Sequence, residues 1–314
     1  MKIEKFKFEI FILQFSILNS SAFDHWPLCS LPFALMLDQI TPVILTYNEA
    51  ANIGRTLERL EWAKDIVVVD SLSDDETLGI VAGTPQARTF ERKFVSLEDQ
   101  WNFALRETSI TTEWVLALDA DYVLTPGLVE ELRSLKPDKE IAGYWARFVY
   151  CINGRPLRGA AYPHIVALYR RELARYRQDG HAHRVVIEGD LDLLRAPILH
   201  DDRKSLGRWL RSQDEYMRLE TRKLRETDWS ELGWADRIRK MIVPAPLGMF
   251  LYCLFVRGVI LDGRAGLYYA FQRLISELIL SLYLIEERFA CEKTVETEEE
   301  RVVTITEASE DSPD

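Results

Sequence analysis

The sequence predicts an α/β fold, a mostly parallel sheet with helices on both faces followed by apolar and amphipathic helices, and two observations carry that prediction. Short apolar runs, too brief for helices and rich in β-branched residues, recur between stretches with helical spacing. The runs and helices alternate along the chain, as they do where a parallel sheet is built from βαβ units. With 314 residues, 47% hydrophobic and 28% charged, the chain is long enough and apolar enough to bury a core, which excludes a wholly disordered or fibrous protein. The net charge of −11 is concentrated at one end, because residues 292–314 hold nine acids and two bases. Nucleic acid is not expected as a partner. Cys29, Cys151, Cys253 and Cys291 lie far apart without a CxxC pair, so neither a disulfide scaffold nor a zinc knuckle is expected and a reducing cytosol suits them.

Residues 1–40 are an unassigned N-terminal extension. Ile10 to Leu18 is apolar behind Lys2, Lys5 and Lys7, the outline of a signal peptide, although Glu4 and Glu9 interrupt it. A start at Met36 and a membrane-contacting arm are the other two readings. Val43-Ile44-Leu45 then reads as a buried strand, Ile53, Leu57 and Leu60 as a helix face, and Ile66 to Val69 as a strand covered on both sides. Strand, helix and strand in this order form a βαβ unit with a right-handed crossover.

Ser96 is a helix N-cap with Asp99 three residues on, and Leu97, Trp101, Ala104 and Leu105 share the face that follows. Trp114 to Leu118 is the next buried strand, ending at Asp119. Thr125-Pro126 opens a helix with the stripe Leu128, Val129, Leu132 and Leu135. Residues 41–145 form one half of the domain. Residues 146–203 form the other, which holds short strands and most of the histidines.

From Ser205 a basic helical segment begins, with eleven bases against seven acids in 203–240 and an apolar stripe of Leu206, Trp209, Leu210, Met217 and Leu224. Two apolar stretches, 241–261 and 265–285, flank Asp262-Gly263-Arg264. Pro244, Pro246 and Arg257 interrupt the first. Gln272, Arg273, Ser276 and Glu277 collect on one side of the second. Each approaches the ~20 residues of a membrane span without being a clean one, so an interfacial or re-entrant pair is expected, with a soluble helical hairpin as the alternative. The basic stretch upstream favours an anionic membrane surface. Residues 204–290 are thus a membrane-associating region and 291–314 a solvated acidic tail.

The chemistry concentrates at strand ends. Asp119-Ala120-Asp121 places two carboxylates at i and i+2 beyond a buried strand, where open α/β sheets bind ligands. Holding both charges there favours a hard divalent cation, Mg²⁺ or Mn²⁺, able to clamp a diphosphate. Thr46-Tyr47-Asn48-Glu49 follows the first strand, and Asp70 to Thr77 (DSLSDDET) follows the second.

With these three clusters the sequence resembles the inverting family 2 glycosyltransferases, and within them the bacterial lipopolysaccharide core glucosyltransferases. Gln100 to Leu105, Gly180-His181-Ala182-His183, His200 and the Leu-Asp-Gly-x-x-Gly turn at 261–266 add to the resemblance, which covers about residues 41–285. It implies a Rossmann-type GT-A fold, a nucleotide-sugar donor bound by Thr46, Asn48, Glu49, Asp70, Ser71, Asn102 and Asp119, and a metal on Asp119, Asp121 and His200. It also implies a general base near Asp179 and His181, a lipid-linked glycan acceptor, and a place on the cytoplasmic face of the inner membrane. Leu72 stands where the family usually has glycine, Arg184 where it has an acid after the second histidine, and Tyr122 replaces the acid common after the DxD. Two alternatives stand beside it: a haloacid-dehalogenase-type phosphatase with Asp119 as nucleophile, and a catalytically inactive membrane adaptor with the same fold.

Overall fold

The computed structural model describes residues 36–160, 162–179 and 182–310, with side chains described outside 178–183 and as far as 289. The signal-like stretch, Cys29 and His181 lie outside the described residues. Within the stretch read as an extension, Met36–Gln39 forms a 3-10 turn whose Met36 and Leu37 are buried in the core.

The first half runs β1 (Ile40–Thr46), α1 (Ile53–Glu58), β2 (Ile66–Asp70), α2 (Thr77–Ala82), β3 (Ala87–Glu91), α3 (Leu97–Glu107), β4 (Trp114–Asp119), β5 (Tyr122–Leu124) and α4 (Pro126–Ser134). The strand-rich second half is β6 (Ile141–Ala146), β7 (Phe148–Ile152), β8 (Arg155–Pro156), β9 (Ile165–Arg170), β10 (Ala174–Asp179), β11 (Ala182–Ile187), β12 (Asp190–Leu193) and β13 (Ile198–His200). Helices α5 (Leu206–Glu226), α6 (Trp234–Lys240), α7 (Pro244–Leu251) and α8 (Gly263–Glu310) complete the described chain.

Seven strands form the main sheet in the order β12-β6-β9-β4-β1-β2-β3. Strand β9 runs against both neighbours and every other pairing is parallel. The expected mostly parallel sheet is therefore what forms. Alternate residues of the central strands point to opposite faces. Ile44, Val68, Leu116 and Leu118 pack with Ile53, Leu57, Leu128 and Leu132 of α1 and α4. Val43, Val67, Val69, Val115 and Ala117 pack with Trp101, Ala104 and Leu105 of α3. Two apolar layers on one set of strands explain why these runs are apolar throughout.

The anticipated caps form. Ser96 Oγ accepts from the Asp99 amide at 3.1 Å, and Thr125 Oγ1 from the Leu128 amide at 3.2 Å. The strand-like run from Tyr144 to Tyr150 is split between two strands: it breaks at Arg147, and β7 leaves the main sheet. There β7 joins a second sheet of order β5-β13-β7-β8. In this sheet β13 runs antiparallel to β5, so that His200 lies opposite Tyr122.

At the C-terminal end the apolar stripe of α5 is realised at Met217 and Leu224, while Leu206 and Leu210 are exposed. Among the described residues no single helix is long and apolar enough to cross a membrane; Pro244–Val256 and Val259–Phe289 meet that test only together, bent by 70°. The bend is built in. A Cβ on Gly266 would lie 1.7 Å from the Val259 carbonyl oxygen, so only glycine lets α8 start against the preceding turn. Arg257, a charge inside an apolar stretch, turns inward and donates to the carbonyls of Gly159 and Ala160, both at 2.7 Å. Helix α8 continues to Glu310, through much of the stretch read as a solvated tail.

Candidate active site

A cleft of about 860 Å³ opens at the C-terminal ends of β1, β2 and β4, with Thr46, Glu49, Ser71, Asp119, Asp121 and His200 on its strand-side wall. Three strand tips thus share one rim, as the sequence suggests. The DxD turn is held from two sides. Thr56 Oγ1 of α1 donates to the Ala120 carbonyl at 2.7 Å, and the Asp201 amide donates to the Asp121 carbonyl at 3.0 Å.

Asp121 is buried, with Oδ2 3.1 Å from His200 Nε2. Desolvation pushes its carboxyl up, but His200 and Lys204 outweigh this and hold it below its usual value. His200 is correspondingly raised: burial opposes its charge, and Asp121 more than offsets that. Tyr122, Tyr150 and Tyr162 surround the imidazole edge-on with centroids 4.7–5.2 Å away. Burial pushes all three phenols above their ordinary values, so they stay neutral beside the carboxylates.

Glu49 and Lys204 form a second buried pair. Lys204 Nζ donates to Glu49 Oε1 at 2.7 Å and lies 3.8 Å from Asp202. Burial lowers the lysine and raises the glutamate, while the attraction of Glu49, Asp121 and Asp202 leaves Lys204 above its ordinary value. A charged ammonium is therefore fixed at the rim, where an anionic ligand would meet it. Sequence reasoning missed Lys204, Asp202 and Arg208, all of which line the cleft. The signal was the charged run Asp201 to Lys204 directly after His200.

The remaining candidates lie elsewhere. Asp70 is fully buried and accepts from Thr46 Oγ1 at 2.7 Å and from Ser73 twice. The Asn48 and Glu49 amides donate to Ser73 Oγ and Thr77 Oγ1, and Asn48 Oδ1 accepts from the Asp74 amide. The second motif thus fixes the backbone of the first. Asn102 Nδ2 and Oδ1 pair with the Tyr176 carbonyl and amide at 3.1 and 3.0 Å, docking the β10–β11 hairpin on α3. Asp179 ends β10 opposite Ala182 in that hairpin; its side chain and His181 lie outside the description.

A divalent cation finds partial support in this donor set. Asp121 Oδ1 is buried without a hydrogen-bond partner, the position an oxygen ligand needs. Yet His200 contacts Asp121 directly, and no group of three His, Cys, Asp or Glu among the described residues is arranged to hold a metal. Any ion would need donor oxygens to complete its shell.

Residues 41–188 match the family model Glycosyl transferase family 2. That segment is a family 2 glycosyltransferase domain. The resemblance seen in the strand-end motifs holds, and the match leaves the dehalogenase-type alternative without support. The chain is 29% identical over 237 residues to the lipopolysaccharide core biosynthesis glycosyltransferase LpsC of Rhizobium meliloti, covering 72% of this chain and 84% of that one. It is 29% identical over 148 residues to an uncharacterized glycosyltransferase of Rickettsia bellii, 45% of this chain and 49% of the relative, so it spans about half of that protein's length. A solved structure of S. aureus TarS 1–349 with UDP-GlcNAc covers 78% of this chain and 91% of that one, at 15% identity and a TM-score of 0.44.

Leu72 adopts the left-handed backbone with φ 65°, and its side chain is 52% exposed. The turn keeps the shape a glycine would take, at a strain of about 1–2 kcal/mol for an L-residue. Leu72→Gly is expected to raise the unfolding free energy by up to about 1 kcal/mol in urea titration, once the glycine's greater unfolded freedom is subtracted. Destabilisation would show that the side chain is needed there.

Proposed function

We propose that this chain is an inverting glycosyltransferase that moves a sugar, glucose by its resemblance, from a UDP-sugar to a hydroxyl of a lipopolysaccharide core or another lipid-linked glycan. The observation that carries this reading is the convergence of Glu49, Asp119 and Asp121 from neighbouring strand ends on one cleft within a family 2 domain. The name of the Rhizobium meliloti relative supports the acceptor class.

In a single displacement the acceptor oxygen bonds to the anomeric carbon as the bond to the diphosphate breaks, and the configuration inverts. Lys204 and Arg208 face the departing negative charge. Thr46 and Ser71 line the donor end of the cleft, and Asp70, Asn48 and Asn102 hold its walls. Asp121 and Asp119 would hold a Mg²⁺ or Mn²⁺ ion, the former through Oδ1. Such an ion supplies Lewis-acid stabilisation of the leaving diphosphate. One base must take the acceptor proton, and we assign it to the hairpin tip, Asp179 preferred, with His181 as the alternative. In this division of labour residues 41–145 bind the donor, 146–203 complete the catalytic half and 204–290 meet the membrane.

Helix α7 and the turns after it support an acceptor held at a bilayer. Val243, Leu247, Leu251 and Phe255 recur every four residues and are each 51–73% exposed, and Val256 and Leu261 extend the apolar ridge. Lys240 and Arg264 flank it in sequence, and the helices before it are basic. An apolar face with cationic flanks suits peripheral attachment to anionic lipid on the cytoplasmic side of the inner membrane, where nucleotide sugars are made.

Asp121→Asn is expected to lower transfer on the order of 10²-fold or more while leaving circular dichroism near wild type, with a lower melting midpoint because the buried pair with His200 is lost. Retained transfer would count against the scheme. In vesicle flotation the full chain should rise with phosphatidylglycerol vesicles, less so at high salt, and the Leu247→Glu, Phe255→Glu double variant should stay at the bottom. Equal flotation of both proteins would remove the membrane from the account.

A further inference from the structure

We infer that the face of α8 opposite the acidic rim is the subsite for the acceptor's sugar ring, with Gln272 as its specificity-determining residue; this rests on the transferase reading above. Tyr269, Gln272, Arg273, Ser276 and Glu277 fall at i, i+3, i+4, i+7 and i+8, which is one side of a helix. All five line the same cleft as Asp119 and Asp121. The wall joins the rim through rings: Tyr269 lies 5.1 Å from Tyr150, and Tyr150 4.7 Å from His200. A ligand reaching from the reacting centre to α8 would pass along these aromatic faces.

Two of the polar groups on this wall are already committed. Glu277 is held by the Arg239 guanidinium, with contacts of 2.7, 3.1 and 3.2 Å. Ser276 Oγ donates to Gln213 Oε1 at 2.8 Å. Two others are only partly so. Gln272 is 8% exposed, and its Oε1 is buried without a hydrogen-bond partner; Arg273 reaches Glu277 at 3.9 Å through a terminal nitrogen, but its Nε is buried without a partner. An unmet acceptor and an unmet donor therefore sit on adjacent residues, and leaving either without a partner is unfavourable.

The chemistry of the missing partner follows. A small inorganic anion would answer Arg273 and leave the Gln272 oxygen facing more negative charge. An apolar ligand would leave both groups unmet. A sugar ring carries hydroxyls that donate to one and accept from the other, and its C–H face can rest on Tyr150 and Tyr269. A site built around hydrogen bonds to hydroxyls rejects ligands that lack them, which makes Gln272 a discriminating residue rather than a general surface. Were these groups mere packing, Gln272→Leu would improve the protein without affecting any ligand.

The test uses the full chain with UDP and Mn²⁺, and as probe a lipopolysaccharide core oligosaccharide freed of lipid A by mild acid, followed by saturation-transfer NMR. Wild type should bind the oligosaccharide. Gln272→Leu should weaken it roughly tenfold or more, with UDP binding unchanged and the melting midpoint equal or higher. Arg273→Met, on the partly exposed side of the same wall, should weaken it in the same direction and guards against a folding artefact of the first variant. Equal binding by wild type and both variants, or UDP binding without oligosaccharide binding, overturns the subsite. Oligosaccharide binding that depends on Gln272 in a protein that neither binds UDP nor transfers sugar would uphold the subsite and refute the transferase reading.

Discussion

Carboxylates gathered at the end of a sheet repel one another, and much of this molecule is organised around answering four of them: Glu49, Asp119, Asp121 and Asp202. Parallel strands make the crowding unavoidable, because β1 and β4 are direct neighbours and both end at the cleft. His200 answers Asp121, and Lys204 answers Glu49 and Asp202. Both cationic partners come from the end of β13 and the segment just beyond it. The second sheet, which looks incidental in topology, is what delivers them. What stays unanswered is Asp121 Oδ1, which is where the proposed cation would meet the rim.

The same economy runs through the loops. The acidic motif after β2 spends most of its oxygens on the backbone of the loop after β1, so its regular spacing reflects bracing more than ligand contact. Asn102 is used in the same way, mimicking a strand edge for the hairpin that carries Asp179. The rim is thereby held rigid, while the opposite wall comes from α5, α6 and α8, elements beyond the family 2 segment. Donor chemistry and acceptor choice would then be separable along the chain, with the apolar ridge of α7 linking the second to a lipid surface.

How far this could be read beforehand follows from the physics of each part. The central strands were legible because they are buried on both sides and must be apolar at every position, and the helix starts because Ser96 and Thr125 are caps with local partners. The strand-tip acids were legible because a charge after a buried strand has no packing role. The fracture of 144–150 into two sheets was not, since both halves carry the same strand-like composition. Lys204 was hidden in a run of charges that reads as a solvated loop, and its closest partner, Glu49, is far away in sequence. The free oxygen of Gln272 was visible as a polar residue in an apolar stretch, but its direction belongs to how α8 lies across the cleft. Leu72 shows the converse: the departure from glycine was plain, whereas the retained left-handed turn required the structure.

The most direct measurement of the central claim is a thermal-shift panel of nucleotide sugars with and without Mn²⁺. Binding to the folded state alone raises stability by about 2.7 kcal/mol at a hundredfold excess over Kd. A shift with UDP-sugars that grows when Mn²⁺ is present, and that neither UMP nor Mn²⁺ alone reproduces, is the result expected from a rim that holds a cation and a diphosphate together. No shift with any nucleotide sugar, or one indifferent to the metal, would contradict it.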